Sequence, residues 1–117
     1  MSNNMDTTAE PRYDLVVFGA TSFVGQIICH HLCAQQAQGR APSWAMAGRS
    51  RSKLEETREE LTCTPPILIA DAADEPSLHA LCAQARVILS TVGPYALYGE
   101  ALIQACVTTG TDYCDLT

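Results

Sequence analysis

The stretch that decides the fold is YDLVVFGATSFVG, residues 13–25. Its apolar run ends at Gly19 and passes directly into a segment with helical periodicity. Gly19 permits a sharp reversal after the strand, and Gly25 lets the following helix lie close to the sheet. The first turn of such a helix leaves backbone N–H groups free to attract an anion. The pattern predicts a strand–turn–helix unit that binds the pyrophosphate of a dinucleotide.

Strand-like and helix-like segments alternate along the rest of the chain. The later strands are predicted at 43–47, 67–70, 87–92 and from Tyr113 onward. The helices are predicted at 24–38, 52–62, 74–85 and 98–109. Alternation of this kind gives a parallel sheet with helices on both faces. We therefore expect an α/β, Rossmann-type doubly wound sheet of order 3-2-1-4-5 in three αβα layers.

Two local features refine this prediction. In the first helix, the apolar residues at helical spacing are predicted to face the core; they are Val24, Ile27, Ile28 and Leu32. The second helix is predicted to open with a capping box that runs from Ser52 to Glu55.

Length and composition bound the domain organisation. The chain has 117 residues, of which 47% are hydrophobic, and this suits one compact domain. Residues 1–12 are polar and aperiodic and are predicted to form a disordered tail, so the domain is predicted to span 13–117. The sequence stops at Thr117 as the fifth strand begins, which we interpret as a fragment of a longer protein that lacks its substrate domain.

Charge and cysteine content exclude some classes. With 7 basic and 13 acidic residues the net charge is -6, which argues against a nucleic-acid partner. Six cysteines accompany neither a secretory signal nor an apolar run of membrane-spanning length. Reduced thiols in a cytoplasmic protein are the expectation.

The first candidate site is the glycine loop. Its predicted cofactor-binding residues are Gly19, Ala20, Thr21, Ser22, Phe23, Val24 and Gly25. Ser22 stands where the G-x-G-x-x-G fingerprint has its middle glycine, so the motif is incomplete. A tight turn that binds nothing is the alternative.

The second candidate site follows the second strand, at Arg49 and Ser50. A protein that prefers NAD would place an acidic residue here, to accept hydrogen bonds from the adenosine ribose. The first acidic residue is instead Glu55. An arginine suits a 2′-phosphate because its planar fork pairs with phosphate oxygens, so NADP(H) is predicted in preference to NAD(H). A solvated basic start to the helix is the alternative.

The other two loops carry weaker candidates. Asp71, after the third strand, could reach the adenine or could simply close a turn. Gly93 and Pro94 would let the backbone approach the nicotinamide ribose, and Tyr95 could line the cleft or pack at a helix entrance.

Two further chemistries find little support. A short-chain reductase would need Tyr-x-x-x-Lys, but Arg49 stands four residues before the only lysine, Lys53. The segment from Cys29 to Cys33 could suggest a metal site, but it lacks a second ligand pair at zinc spacing. Buried cysteines are the simpler interpretation, and no metal is predicted.

These residues together resemble the N-terminal domain of the saccharopine dehydrogenase family, in particular its saccharopine dehydrogenase-like oxidoreductases and trans-acting enoyl reductases. The resemblance spans Tyr13 to Thr117. The motifs that carry it are Gly19–Gly25, Ala47–Ser50, Val92–Tyr95 with Tyr98–Glu100, and Ala105–Cys106 through Gly110–Asp115.

The resemblance implies an NADP-dependent oxidoreductase that transfers hydride between its nicotinamide cofactor and a C=N, C=O or C=C bond. A second domain of the longer protein would hold a small-molecule or lipid-like substrate, and this chain alone would be inactive. A homodimer is left open, and the catalytic residues are not assigned. The alternative is a non-catalytic Rossmann protein that senses NADP(H) or acts as a scaffold.

Overall fold

The computed structural model describes the backbone of residues 11–91 and 95–115 and the side chains of 11–91 and 100–114. Strands and helices alternate through this part of the chain as predicted. Their bounds are β1 Tyr13–Phe18, α1 Phe23–Ala37, β2 Trp44–Gly48, α2 Arg51–Glu59, β3 Ile67–Ile69, α3 Glu75–Cys82, β4 Ala85–Ser90, α4 Tyr95–Thr109 and β5 Asp112–Asp115. Most of the predicted tail, residues 1–10, lies outside the described residues.

The strands form one parallel sheet of order β3-β2-β1-β4-β5. This confirms the predicted doubly wound topology. Because β1 lies between β2 and β4, the chain reverses its direction across the sheet at the β1/β4 pair. Ligands of such sheets bind outside the carboxyl ends of the strands at this switch point.

Each face of the sheet has its own buried core. Val16 and Phe18 of β1 pack into a cluster with residues of α3 and α4, such as Leu78 and Leu102. Val17 packs on the opposite face, with residues of α1 and α2. Successive residues of a strand point to opposite faces, so β1 contributes to both cores. The predicted three-layer arrangement is confirmed.

The face of α1 that packs on the sheet differs from the prediction. The buried residues of α1 are Gly25, Cys29, Leu32 and Cys33. Val24 and Ile27, predicted to be in the core, are 42% and 52% exposed. Gly25 lies against the backbone of Gly19 and Ala20, where there is no room for a Cβ, and this contact determines which face of α1 is turned toward the sheet.

Several helix ends also differ from the prediction: α2 ends at Glu59 rather than Thr62, and α4 begins at Tyr95 rather than Tyr98. The N-cap of α2 is Ser50, whose hydroxyl accepts a hydrogen bond from the Lys53 N–H at 3.3 Å, so the predicted capping box at Ser52 is wrong. Helix α3 ends at Cys82, and β4 then begins at Ala85, two residues before the predicted strand. No helix within residues 11–91 and 95–115 is long and apolar enough to cross a membrane.

One pair of cysteines contradicts the expected reduced thiols. Cys33 of α1 and Cys63, between α2 and β3, form a disulfide across a sequence separation of 30 residues. No local sequence pattern predicts this pair, because only the packing of α1 and α2 on one face brings the two residues together. The other four cysteines form no disulfide: Cys29, Cys82 and Cys106 are buried, and Cys114 is exposed.

We expect Cys63→Ala to lower the free energy of unfolding by about 3 kcal/mol, since a cross-link over a loop of this length removes conformational entropy from the unfolded chain. Urea unfolding of the oxidised protein, followed by circular dichroism, measures the change. The Cys63→Ala protein measured with and without reductant is the control, since a reductant should not change the stability of a chain that has already lost the cross-link. Equal stability of the unsubstituted protein with and without reductant would contradict the prediction.

Candidate nucleotide-binding site

The glycine loop at the end of β1 is fixed to its neighbouring strand. The N–H groups of Gly19 and Ala20 both donate to the carbonyl oxygen of Ala47 in β2, at 2.9 and 3.1 Å. Gly19 has φ of 89°, a left-handed conformation that favours glycine, and its carbonyl accepts from the Ser22 N–H at 3.0 Å. The predicted reversal at Gly19 is therefore confirmed.

Helix α1 packs directly on this loop at Gly25. A Cβ placed on Gly25 would lie 2.3 Å from the Gly19 carbonyl oxygen and 2.9 Å from the Cα of Ala20. Both neighbours are backbone atoms, so no flexible side chain could move to make room. The predicted close approach of the helix at Gly25 is confirmed.

The start of α1 offers unpaired hydrogen-bond donors. Ser22 is the N-cap, and its hydroxyl accepts from the Gly25 N–H at 2.9 Å. The N–H groups of Thr21, Phe23 and Val24 have no acceptor within the described part of the chain. The first turn carries no acidic side chain that would repel an anion. Free N–H groups and the positive end of the helix dipole together suit a phosphate.

Thr91, which immediately follows β4, is a site residue that the sequence reasoning missed. Its hydroxyl donates to the Gly19 carbonyl oxygen at 2.7 Å and lies 2.9 Å from the hydroxyl of Ser22. The sheet order was the available signal, since the end of β4 had to lie beside the end of β1.

Arg49 and Ser50 lie at the same edge of the sheet, directly after β2. The N–H groups of Gly19 and Ala20 are hydrogen-bonded to Ala47. Arg49 therefore lies only two residues from the point where the glycine loop is attached to β2. The Arg49 side chain is exposed and makes no ion pair with a carboxylate of the described residues. Its guanidinium group is therefore available to a ligand.

Asp71 follows β3 at this edge and closes a turn. One of its carboxylate oxygens accepts from the Ala73 N–H at 2.9 Å, and its backbone N–H donates to the Ser77 hydroxyl at 3.0 Å. This geometry supports the turn interpretation, and contact with an adenine stays a prediction. Of the candidates after β4, Gly93 and Pro94 lie outside the described residues, as does the side chain of Tyr95.

Cys29, Cys33 and Cys82 are not suited to nucleophilic or metal chemistry. Burial raises the pKa of the Cys29 thiol to about 12, and Cys33 is held in its disulfide. The thiols of Cys82 and Cys106 are 3.6 Å apart, and this hydrogen bond together with burial raises the pKa of Cys82. Residues 11–91 and 100–114 contain no group of three or more side chains placed to hold a metal ion.

Comparison with known proteins identifies the family. A family model described as the saccharopine dehydrogenase NADP binding domain matches residues 15–117. The chain belongs to this family. The match covers the glycine loop and the segments after β2, β3 and β4, so it includes every element of the candidate site.

Longer proteins contain the same domain. The trans-acting enoyl reductase of Mycobacterium leprae (strain TN) is 42% identical over 108 residues, which make up 90% of this chain and 25% of that protein. The chain thus spans about a quarter of the length of the curated relatives it matches.

Solved structures support the same fold. An apo saccharopine dehydrogenase (L-Glu forming) from Saccharomyces cerevisiae superposes with a TM-score of 0.69 at 17% identity, covering 88% of this chain and 21% of that one. AtPrR2 with NADP+ and (+)pinoresinol superposes with a TM-score of 0.64 at 16% identity, covering 90% of this chain and 36% of that one. The saccharopine dehydrogenase NADP-binding domain is thus a Rossmann-type domain.

Proposed function

We propose that this domain binds NADP(H) across the carboxyl ends of β2, β1 and β4. The observation that carries the proposal is the set of free N–H groups at Thr21, Phe23 and Val24 beside a loop braced on both sides. These groups would hold the pyrophosphate at the positive end of α1. Arg49 would pair with the 2′-phosphate, and Ser50 would add a hydroxyl donor.

The remaining candidates would hold the two ends of the cofactor. Asp71 lies at the end of β3, on the adenine side of the crevice in this arrangement. Gly93, Pro94 and Tyr95 follow β4 and would line the nicotinamide side. The dinucleotide would then run from β3 across the switch point to β4.

For the whole protein we propose an oxidoreductase that transfers hydride between the nicotinamide ring and a C=N, C=O or C=C bond. Among these, a C=C bond is favoured, because the Mycobacterium leprae relative is a trans-acting enoyl reductase. When bound, the cofactor supplies the hydride, and the residues of this domain bind and orient it. The chain alone would bind nucleotide without turnover.

The proposal also covers the substrate, the oligomeric state and the location of the whole protein. A separate domain would hold a small-molecule or lipid-like substrate. A homodimer is the proposed oligomeric state of the whole protein. We retain the cytoplasm as the proposed location. The Cys33–Cys63 disulfide is unusual for that compartment, so mass spectrometry of alkylated protein from fresh lysate should decide its oxidation state there.

Calorimetric titration with NADPH and NADH tests the binding step. We expect NADPH to bind at least about tenfold more tightly than NADH, because only NADPH engages the Arg49 fork. Oxidation of NADPH by the whole protein, with an enoyl thioester, a ketone or an imine as substrate, tests the reaction. Tight binding without turnover on any of them would favour an NADP(H) sensor or scaffold, and absence of binding would refute the proposal.

A further inference from the structure

We propose that Thr91 is a positioning residue for the pyrophosphate site, acting through a chain of hydroxyl groups that fixes the glycine loop. This inference rests on the proposed NADP(H) function. Thr91 itself does not need to touch the cofactor, because its hydrogen bonds are with Phe18, Gly19 and Ser22.

The hydrogen bonds run in one direction. The Gly25 N–H donates to the Ser22 hydroxyl at 2.9 Å. The shortest bond of Thr91 is the 2.7 Å bond that its hydroxyl donates to the Gly19 carbonyl. Because that bond uses the only hydroxyl hydrogen of Thr91, the 2.9 Å contact between the two side chains is donated by Ser22.

The hydroxyl groups and strand β2 together hold the Gly19–Ala20 peptide from both sides. The carbonyl of Gly19 accepts from Thr91 and from the Ser22 N–H, while the Ala20 N–H donates to Ala47 of β2. The Thr91 N–H also donates to the Phe18 carbonyl at 2.9 Å. Thr91 thus links the end of β4 to the turn on β1, across the switch point where the dinucleotide would lie.

The same chain explains the serine at a position where the fingerprint has glycine. The Ser22 hydroxyl accepts from Gly25 and donates to Thr91, so both its hydrogen and an acceptor site are used within the protein. Ser22 therefore braces the loop, and the backbone N–H groups of its neighbours are left to bind the phosphates. At this position of the G-x-G-x-x-G pattern, a serine that links Gly25 to Thr91 by hydrogen bonds thus replaces a glycine.

Thr91→Val tests the inference, because valine keeps the shape of threonine and removes the hydroxyl. We expect the Kd for NADPH to rise about tenfold, as the loop loses one fixed hydrogen bond at each of two groups. Thr91→Ser keeps the hydroxyl and should restore binding to within about twofold. Ser22→Ala should raise the Kd similarly, and the double variant should be less than additive, since both substitutions break one chain.

A matched control separates positioning from general stability. The Thr111 hydroxyl donates to the Cys82 carbonyl at 2.7 Å, in a buried position at the opposite edge of the sheet. Thr111→Val removes an equivalent hydrogen bond and should leave the Kd for NADPH unchanged. Thermal unfolding of all variants verifies that each is folded at the titration temperature.

A second probe locates the effect within the site. Adenosine 2′-monophosphate carries the phosphate proposed for Arg49 but has no pyrophosphate, and its weak binding can be followed by NMR chemical shifts. Thr91→Val should leave this affinity unchanged. An unchanged Kd for NADPH, an equal loss for both probes, or failure of Thr91→Ser to restore binding would each overturn the inference. If the unsubstituted protein does not bind NADPH, the proposed function fails, and this inference fails with it.

Discussion

Replacing Gly25 with alanine is expected to abolish measurable NADPH binding, with a loss of at least about 100-fold in affinity. The new Cβ would lie 2.3 Å from the Gly19 carbonyl oxygen, so α1 would have to move away from the loop. That movement displaces the N–H groups of Phe23 and Val24 from the proposed phosphate. It also weakens the packing of α1, at a cost of roughly 1–3 kcal/mol in stability.

Calorimetry with NADPH measures the loss of binding, and urea unfolding measures the loss of stability. Gly48→Ala is the control for stability, because the three atoms nearest to a Cβ there belong to the Leu54 side chain and lie at an ordinary 3.6–3.7 Å. A Gly25→Ala protein that binds NADPH like the unsubstituted one would show that the phosphate does not lie at the start of α1.

Replacing Arg49 with alanine is expected to remove the preference for NADPH over NADH. A guanidinium–phosphate pair contributes about 1.5–3 kcal/mol when both hydrogen bonds form, which corresponds to a loss of roughly 10–100-fold in NADPH affinity. The affinity for NADH should change by less than about twofold, because NADH has no phosphate at this position. Fluorescence titration with NADPH and with NADH gives the ratio of the two dissociation constants.

Arg40→Ala is the matched control for the change in net charge. Arg40 is also exposed, but it lies between α1 and β2, at the amino edge of the sheet. Its replacement should leave both affinities unchanged. Arg49→Lys keeps the charge and loses the planar fork, so an intermediate preference is expected. An unaltered NADPH-to-NADH ratio in Arg49→Ala would remove Arg49 from the proposed role.

The topology was predictable because its signals are local. Apolar runs such as Val16–Phe18, separated by helical segments and by Gly or Pro, specify alternating strands and helices. The order 3-2-1-4-5 then follows from right-handed crossovers and the reversal typical of dinucleotide-binding folds. The positions of Gly19, Gly25 and Arg49 at one edge follow from that order.

The details that failed depend on tertiary contacts. The apolar periodicity of α1 placed Val24 and Ile27 in the core, but the fit of Gly25 against Gly19 turned the helix so that both are largely exposed. The spacing of apolar residues in a sequence does not predict that a glycine will determine which face of a helix is buried. The role of Thr91 likewise requires knowledge of which carbonyl stands opposite it, which only the packed structure supplies.

The Cys33–Cys63 disulfide has a topological consequence, because it closes a covalent ring that contains the end of α1, all of β2 and all of α2. A protease that cuts once inside this ring, for example after the exposed Arg40, leaves two pieces that stay attached through sulfur. On a denaturing gel the nicked molecule migrates as one band until a reductant separates it into two. The ring thus keeps the arginine-bearing turn joined to the glycine loop after the backbone between them has been severed.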